Sequence, residues 1–171
     1  WWEVVKEWVI EYVLLPMELE RLPDEAHINT GLPEEVSEDE FLVRCCQRLQ
    51  DAGWSVDEAS AQDHQGVDLI ARRTDLDIDI CIQCRRLDDP AGVASIEKII
   101  AGRNSCGFAT HAAVISNSGF TAAAKRLARS SDIILINYSG ISRLENYCLI
   151  VPPYRDLSDF WDLILGENQQ S

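Results

Sequence analysis

The stretch GVDLIARRTDLDIDICIQCRR, residues 66–86, decides how this chain folds. Two apolar-rich runs, Val67 to Arg72 and Leu76 to Arg85, flank a polar turn around Arg73 to Asp75, and together they predict a β-hairpin. Side chains alternate faces along a strand. Ile78, Ile80, Ile82 and Cys84 therefore share a face that belongs in a core. The opposite face carries Asp79, Cys81, Gln83 and Arg85, a polar set that a strand buried on both sides tolerates only with partners.

Upstream, SEDEFLVRCCQRLQDAGW (37–54) predicts a helix. Ser37 is a natural N-cap, with Glu40 three residues on to complete a capping box. Phe41, Leu42, Cys45 and Leu49 form its apolar face, and Gly53 ends it. A short strand is expected near Trp54 to Glu58. Downstream, AGVASIEKIIAG (91–102) has Val93, Ile96, Ile99 and Ile100 at helical spacing. HAAVISN (111–117), TAAAKRLARS (121–130) and DIILINY (132–138) then read as strand, helix and strand, with Thr121 capping the helix. Two apolar strands around a helix imply a parallel crossover. The sum is an α/β protein, a mixed β-sheet flanked by helices on both faces.

The chain is 171 residues long, enough for one sizeable core. Its acidity is uneven. Residues 1–40 hold 12 acidic and 2 basic side chains, whereas 41–171 hold 17 and 13. The main body thus keeps room for a local basic patch although its average charge does not favour phosphate. Residues 1–36 are expected to form a helical arm and linker, 37–150 the folded domain, and 151–171 a closing helix (DLSDFWDLIL) and tail. Trp1, Val4, Val5, Trp8, Val9 and Tyr12 form the apolar stripe of an amphipathic helix that Pro16 ends or kinks. That stripe suits packing on the domain, a second copy of the chain, or a membrane surface, where Trp and Tyr are favoured. The chain begins at Trp1 rather than Met, so a segment upstream is expected, and a tether there is the alternative to a free cytoplasmic protein. No apolar run is long enough to span a bilayer. The six cysteines, without a secretory signal, are expected as reduced cytosolic thiols.

Two chemistries compete for the hairpin. Cys81 and Cys84 form a CxxC, but on a strand an offset of three sends the thiols to opposite faces, and no second CxxC or His pair completes a zinc site. Two packed strand cysteines are the plainer reading. A hard divalent cation instead needs oxygen ligands, often one or two carboxylates with substrate phosphate and water. Asp68 on one strand and Gln83 on its neighbour can offer oxygens from adjacent positions, and Arg85 two residues on supplies a cation for a phosphoryl group. A structural polar face is the competing account of the same residues.

Residues 38–145 resemble the Mrr-type restriction endonuclease domain of the broad PD-(D/E)XK nuclease superfamily. EFLVRCCQRLQDAGWSV is similar to that family's first helix and its exit, HQGVDLIA to its Asp-bearing strand, and IQCRR to its Gln-x-Lys pattern. VISNSGFTAAAKRLA and IILINYSGI resemble its later strand, helix and strand. The resemblance implies a restriction-endonuclease-like fold, DNA as partner, Mg2+ or Mn2+ as cofactor, Asp68 and Gln83 as metal ligands, and Asp68, Gln83 and Arg85 as the catalytic set. Three positions depart from the pattern. Arg85 stands where the family has Lys, and a guanidinium cannot be deprotonated in the working range. Leu42 stands where the family usually has Glu; Glu40, two residues back, lies about 200° round the helix and cannot replace it. His64 stands where an acid is common, and reads as an exposed loop histidine or as a metal or phosphate ligand. Glu97 and Lys98 on the next helix are candidates for a displaced acid and cation, against a plain solvated helix face.

Three functions follow as expectations. The first is a Mg2+-dependent DNA endonuclease. The second is a nuclease-fold module that binds nucleic acid or protein without cutting, through basic residues such as Arg72, Arg73, Arg85, Arg86, Arg103, Lys125, Arg126 and Arg129. The third is an assembly or membrane-association module acting through the Trp-rich helix, with homo-oligomerisation as its sign.

Overall fold

The computed structural model describes residue 32 and residues 36–60 and 65–150. The amphipathic arm, the closing helix and His64 lie outside the described residues. The domain opens with α1 (Glu38–Asp51), followed by strands β1 (Ser55–Glu58), β2 (Leu69–Arg73) and β3 (Ile78–Arg85). Then come α2 (Val93–Ser105), β4 (His111–Ser116), α3 (Ala122–Ser130) and β5 (Ile133–Asn137). A 3-10 helix, Tyr138–Arg143, leads into α4 (Leu144–Ile150).

The strands form one sheet in the order β1-β2-β3-β4-β5. β1, β2 and β3 pair antiparallel, as a hairpin demands. β3, β4 and β5 pair parallel, because α2 and α3 carry the chain back between them. The sheet is mixed, and helices cover both faces. On one face Leu69, Ala71, Ile80 and Ile82 meet Phe41, Cys45 and Leu49 of α1 together with Ile141 and Leu144. On the other, Ile70, Cys81, Ala112 and Val114 meet Ile96 and Ile99 of α2 and Ala124 and Ala128 of α3. The central strand β3 thus separates two apolar clusters, and each buried side chain removes apolar surface worth about 1.5–3 kcal/mol for a Leu or Ile.

Local chemistry explains the element ends. Ser37 Oγ accepts from the Glu40 N–H at 3.1 Å, and acids fill the first turn of α1 where they meet the helix dipole. The expected capping box is only half made. The Glu40 carboxylate turns forward and pairs with Arg44 at 2.7 Å rather than reaching back. Gly53 takes φ +89° just beyond the helix end. The hairpin turn falls later than its composition suggests. Asp77 takes φ +55°, which breaks the extended backbone, so β3 begins at Ile78 and Leu76 is left exposed. Thr121 Oγ1 caps α3 as expected, accepting from Ala124 N–H at 3.2 Å. The 3-10 turn and α4 have no counterpart among the expected elements, since Tyr138–Ile150 is too short to show a clear helical period.

Candidate active site

The loop before β2 is fitted to α2 without clearance. Gly66 has φ +87°, and a Cβ there would stand 2.5 Å from the Lys98 carbonyl oxygen. At Gly102 a Cβ would stand 2.7 Å from Val67 Cγ2 and 2.8 Å from the Gln65 carbonyl oxygen. Only hydrogen at both positions lets this loop lie on the helix backbone, and that contact places Asp68 between β3 and α2. Gly102 also explains why α2 continues past it to Ser105: the glycine serves packing, not termination.

Asp68 is held at backbone and side chain. Its N–H donates to the Ile82 carbonyl at 2.8 Å, and its carbonyl accepts from Ala59 N–H at 2.9 Å. Its Oδ2 accepts from Cys84 N–H at 2.7 Å. The β2–β3 register pairs Leu69 with Ile82, so Asp68, one residue before β2, comes opposite Gln83, which shares with Cys81 the side of β3 that α2 covers. Gln83 is 3% exposed, and its Oε1 is buried with no hydrogen-bond partner. Two residues on, Arg85 keeps a buried, unpartnered Nε on the same face. A buried acceptor and a buried donor without partners are unusual in a native fold, although Asn137 Oδ1 and Ser139 Oγ share that condition elsewhere in the domain. Burial, above all, pushes the Asp68 carboxyl above its ordinary 3.8. The Cys84 N–H bond, Arg85 and Lys98 pull the other way, while the Glu38 carboxylate pushes further up.

Asp68, Gln83 and Arg85 thus lie near one another at the end of the hairpin, and the charges of Glu38 and Lys98 act on the Asp68 carboxyl in opposite directions. Lys98 is exposed on α2, as a solvated helix face would be, and its charge favours the ionised Asp68 carboxyl. Glu38, in the first turn of α1, escaped the sequence reading, which weighed only Glu40. Helix geometry held the signal: Glu38 precedes Leu42 by four residues, about 40° round the axis. Among the described residues no group of three His, Cys, Asp or Glu side chains is gathered for a metal. The available donors are a carboxylate, an amide oxygen and nearby charges. That set of oxygens suits a hard cation completed by water and phosphate.

The cysteines do not make a rival site. Cys81 packs with α2 on one face, and Cys84 packs against α1 on the other. Burial pushes the Cys81 thiol up to about 12. A hydrogen bond with Cys45, then burial, raises Cys84 as well. Thiols so held stay protonated and are poor metal ligands. Most of the expected basic patch is also committed elsewhere. Arg72 pairs with Asp57 and Asp79, and Arg73 with Asp75 and Glu145, at the end of β2 remote from Asp68. Arg86 pairs with Asp88, and Arg103 donates to the Ser131 carbonyl.

The five-stranded mixed sheet with helices on both faces, and an Asp–Gln pair on its central hairpin, define a restriction-endonuclease-like fold. The family model of the Mrr_cat restriction endonuclease matches residues 33–144, and the chain belongs to that family. No curated protein matches it. Among solved structures, the chain is similar to a protein of unknown function at 19% identity and TM-score 0.50, over 58% of each chain. It is also similar to a repair endonuclease from Pyrococcus abyssi at 16% identity and TM-score 0.48, over 61% of this chain and 47% of that one. The chain thus spans about half the length of these solved proteins. Likenesses at such identity bear on the fold alone.

Proposed function

We propose that this domain is a divalent-metal-dependent DNA endonuclease, with Asp68 and Gln83 as ligands for Mg2+ or Mn2+ and Arg85 facing the scissile phosphate. The observation that carries this reading is Asp68, just before β2, opposite Gln83 of β3, with Gln83 Oε1 buried and unpartnered. A bound cation would polarise the phosphoryl group and make an attacking water more acidic. The chain's own residues do the rest. The Cys84 N–H fixes the Asp68 carboxylate through Oδ2, leaving the second oxygen to bind. The Arg85 guanidinium remains charged throughout, so it donates to phosphate oxygens and offsets the charge that grows on them. It does not accept the proton of the attacking water.

A second reading rests on Arg85 and Leu42, the two departures from the family's catalytic positions. Under it the domain binds nucleic acid or a protein without cutting. Nicking of supercoiled plasmid separates the two. The enzyme reading expects nicking in Mg2+ or Mn2+ that chelator abolishes and that Asp68→Asn abolishes in a folded variant. DNA binding without nicking, equal in wild type and Asp68→Asn, would establish the second reading instead.

A further inference from the structure

We infer that the DNA backbone beyond the cut phosphate runs along the carboxyl ends of β3, β4 and β5 and is gripped there by Asn137 and by the basic start of α3, Lys125 and Arg126. DNA as the ligand rests on the endonuclease reading, while the surface stands on its own geometry. Its first part is a row of polar side chains. Arg85 pairs in register with Ser116, and Ser116 with Asn137. Back along the same strands by twos, Cys81, Ala112, Val114 and Ile133 belong to the apolar cluster under α2 and α3, so the row lies on that face. Open α/β sheets bind ligands at the carboxyl ends of their strands. Ser116 fills the middle of the row and is fully buried, its Oγ accepting from Ser118 N–H at 3.2 Å. The two ends are unfinished. Arg85 Nε and Asn137 Oδ1 are buried without a partner. With Oδ1 turned inward, the polar atom left to the half-buried Asn137 side chain is its Nδ2 donor. Strand spacing of about 4.8 Å puts Asn137 roughly 10 Å from Arg85, and successive phosphates of one DNA strand advance about 3.4 Å along the axis. The row is therefore long enough to follow the backbone past the phosphate that Arg85 faces.

The loops beside the row are held in place. Asn117 Oδ1 accepts from Leu87 N–H and Asn117 Nδ2 donates to the Leu87 carbonyl, both at 2.8 Å. Ser118 Oγ donates to the Asp89 carbonyl at 2.7 Å, and Ala91 N–H to the Gly119 carbonyl at 2.9 Å. Thr121 N–H then donates to the Ala91 carbonyl at 3.0 Å. The loops after β3 and β4 are thus tied to each other, and the tie ends on the residue that caps α3. A ligand that follows this edge meets α3 next. That helix carries Lys125, Arg126 and Arg129 and no acid, in a chain of net charge -14. Lys125 and Arg126 are exposed in its first half, next to the edge. The arginines at the other end of the hairpin are instead answered by acids, Arg72 by Asp57 and Asp79, and Arg73 by Asp75 and Glu145. Neither α2 nor α3 has an acid in its first turn, so both helix dipoles turn an uncompensated positive end to this edge. A polyanion is the ligand that this local charge fits.

Fluorescence anisotropy of a labelled DNA duplex with the full chain, in chelator and across NaCl concentrations, tests the track without recourse to cleavage. Each phosphate neutralised by Lys or Arg contributes about 0.9 to the fall of log affinity with log salt. The double variant Lys125→Gln, Arg126→Gln should lower that slope by about 2 and weaken binding about tenfold or more at low salt. Asn137→Ala should weaken binding severalfold with the slope unchanged, since a neutral donor releases no counterion. Arg72→Gln, at the far end of β2, should leave both unchanged. The α3 changes lie on an exposed face, and the double variant should melt as wild type does. An unchanged slope in the double variant, with wild type binding and nicking DNA, would overturn the track and leave the endonuclease reading standing. A slope lowered in the double variant, with no nicking by wild type in Mg2+ or Mn2+, would support the track and overturn the endonuclease reading. Equal loss in Arg72→Gln would overturn the track in favour of a field spread over the whole chain. If wild type binds no duplex, both fall.

Discussion

Replacing Gln83 by Met should stabilise the protein while disabling it. Met has nearly the volume of Gln and no amide, so the packing of β3 between its two apolar clusters is kept. What goes is a buried oxygen without a partner. Such an atom costs about 1–3 kcal/mol of desolvation that no hydrogen bond returns. In chelator, Gln83→Met should therefore melt higher than wild type by about 3–9 °C, taking about 3 °C per kcal/mol for a chain of this size. Added Mn2+ should act the other way. At a hundredfold excess over the dissociation constant, a ligand that binds only the native state adds about 2.7 kcal/mol. Wild type should gain that increment, and the variant most of it should miss, so the difference in melting temperature shrinks or reverses. Scanning calorimetry of both proteins, in EDTA and in Mn2+, reads the four values. A Gln83→Met variant less stable than wild type in EDTA would refute the reasoning, because it would mean that the amide is satisfied in the fold and is not held in readiness for a ligand.

Other predictions follow from the same geometry. Asp68 is held above its ordinary 3.8, so its ionisation weighs against folding. That cost is absent below the unfolded-state value, where both states are protonated, and complete once the pH has passed the folded-state value. Asp68→Asn, which keeps an oxygen for Cys84 N–H, should thus raise stability at neutral pH in chelator and make little difference near pH 3; denaturant melts across pH check the trend. Gly102→Ala should cost about 1–3 kcal/mol by forcing a methyl against Val67 and the Gln65 carbonyl, and Gly66→Ala more, since strain at φ +87° is added to the clash with Lys98. Both should lower plasmid nicking out of proportion to the stability loss, because the loop they shift carries Asp68. Arg85→Lys should retain Mn2+ affinity within about threefold and raise the nicking rate about tenfold, if a compact point donor serves the phosphate better than a planar one. A rate unchanged or lower in Arg85→Lys would show that the guanidinium is suited to its place.

Much of this architecture was legible because its signals are local and mutually consistent. The alternation of Ile78, Ile80 and Ile82 fixes one face of β3, and Ser37 and Thr121 mark helix starts by hydrogen bonds to residues three away. The split of Cys81 and Cys84 onto opposite faces follows from strand period alone. Asp68 and Gln83 were placed side by side because a hairpin ties register to sequence. The turn was set early because a left-handed Asp77 leaves no mark in hydrophobic pattern. Tertiary relations were hidden for a different reason. That Gly66 and Gly102 meet where the loop lies on α2 depends on packing between elements remote in the chain. The salt bridges that occupy Arg72 and Arg73 are likewise invisible to a count of charges.

Anomalous diffraction from a crystal grown with Mn2+ tests the central claim most directly. The account predicts one strong peak within bonding distance of the Asp68 carboxylate and Gln83 Oε1, and no such peak in Asp68→Asn crystals. Mn2+ bound only elsewhere, with Gln83 Oε1 still facing protein, would contradict it.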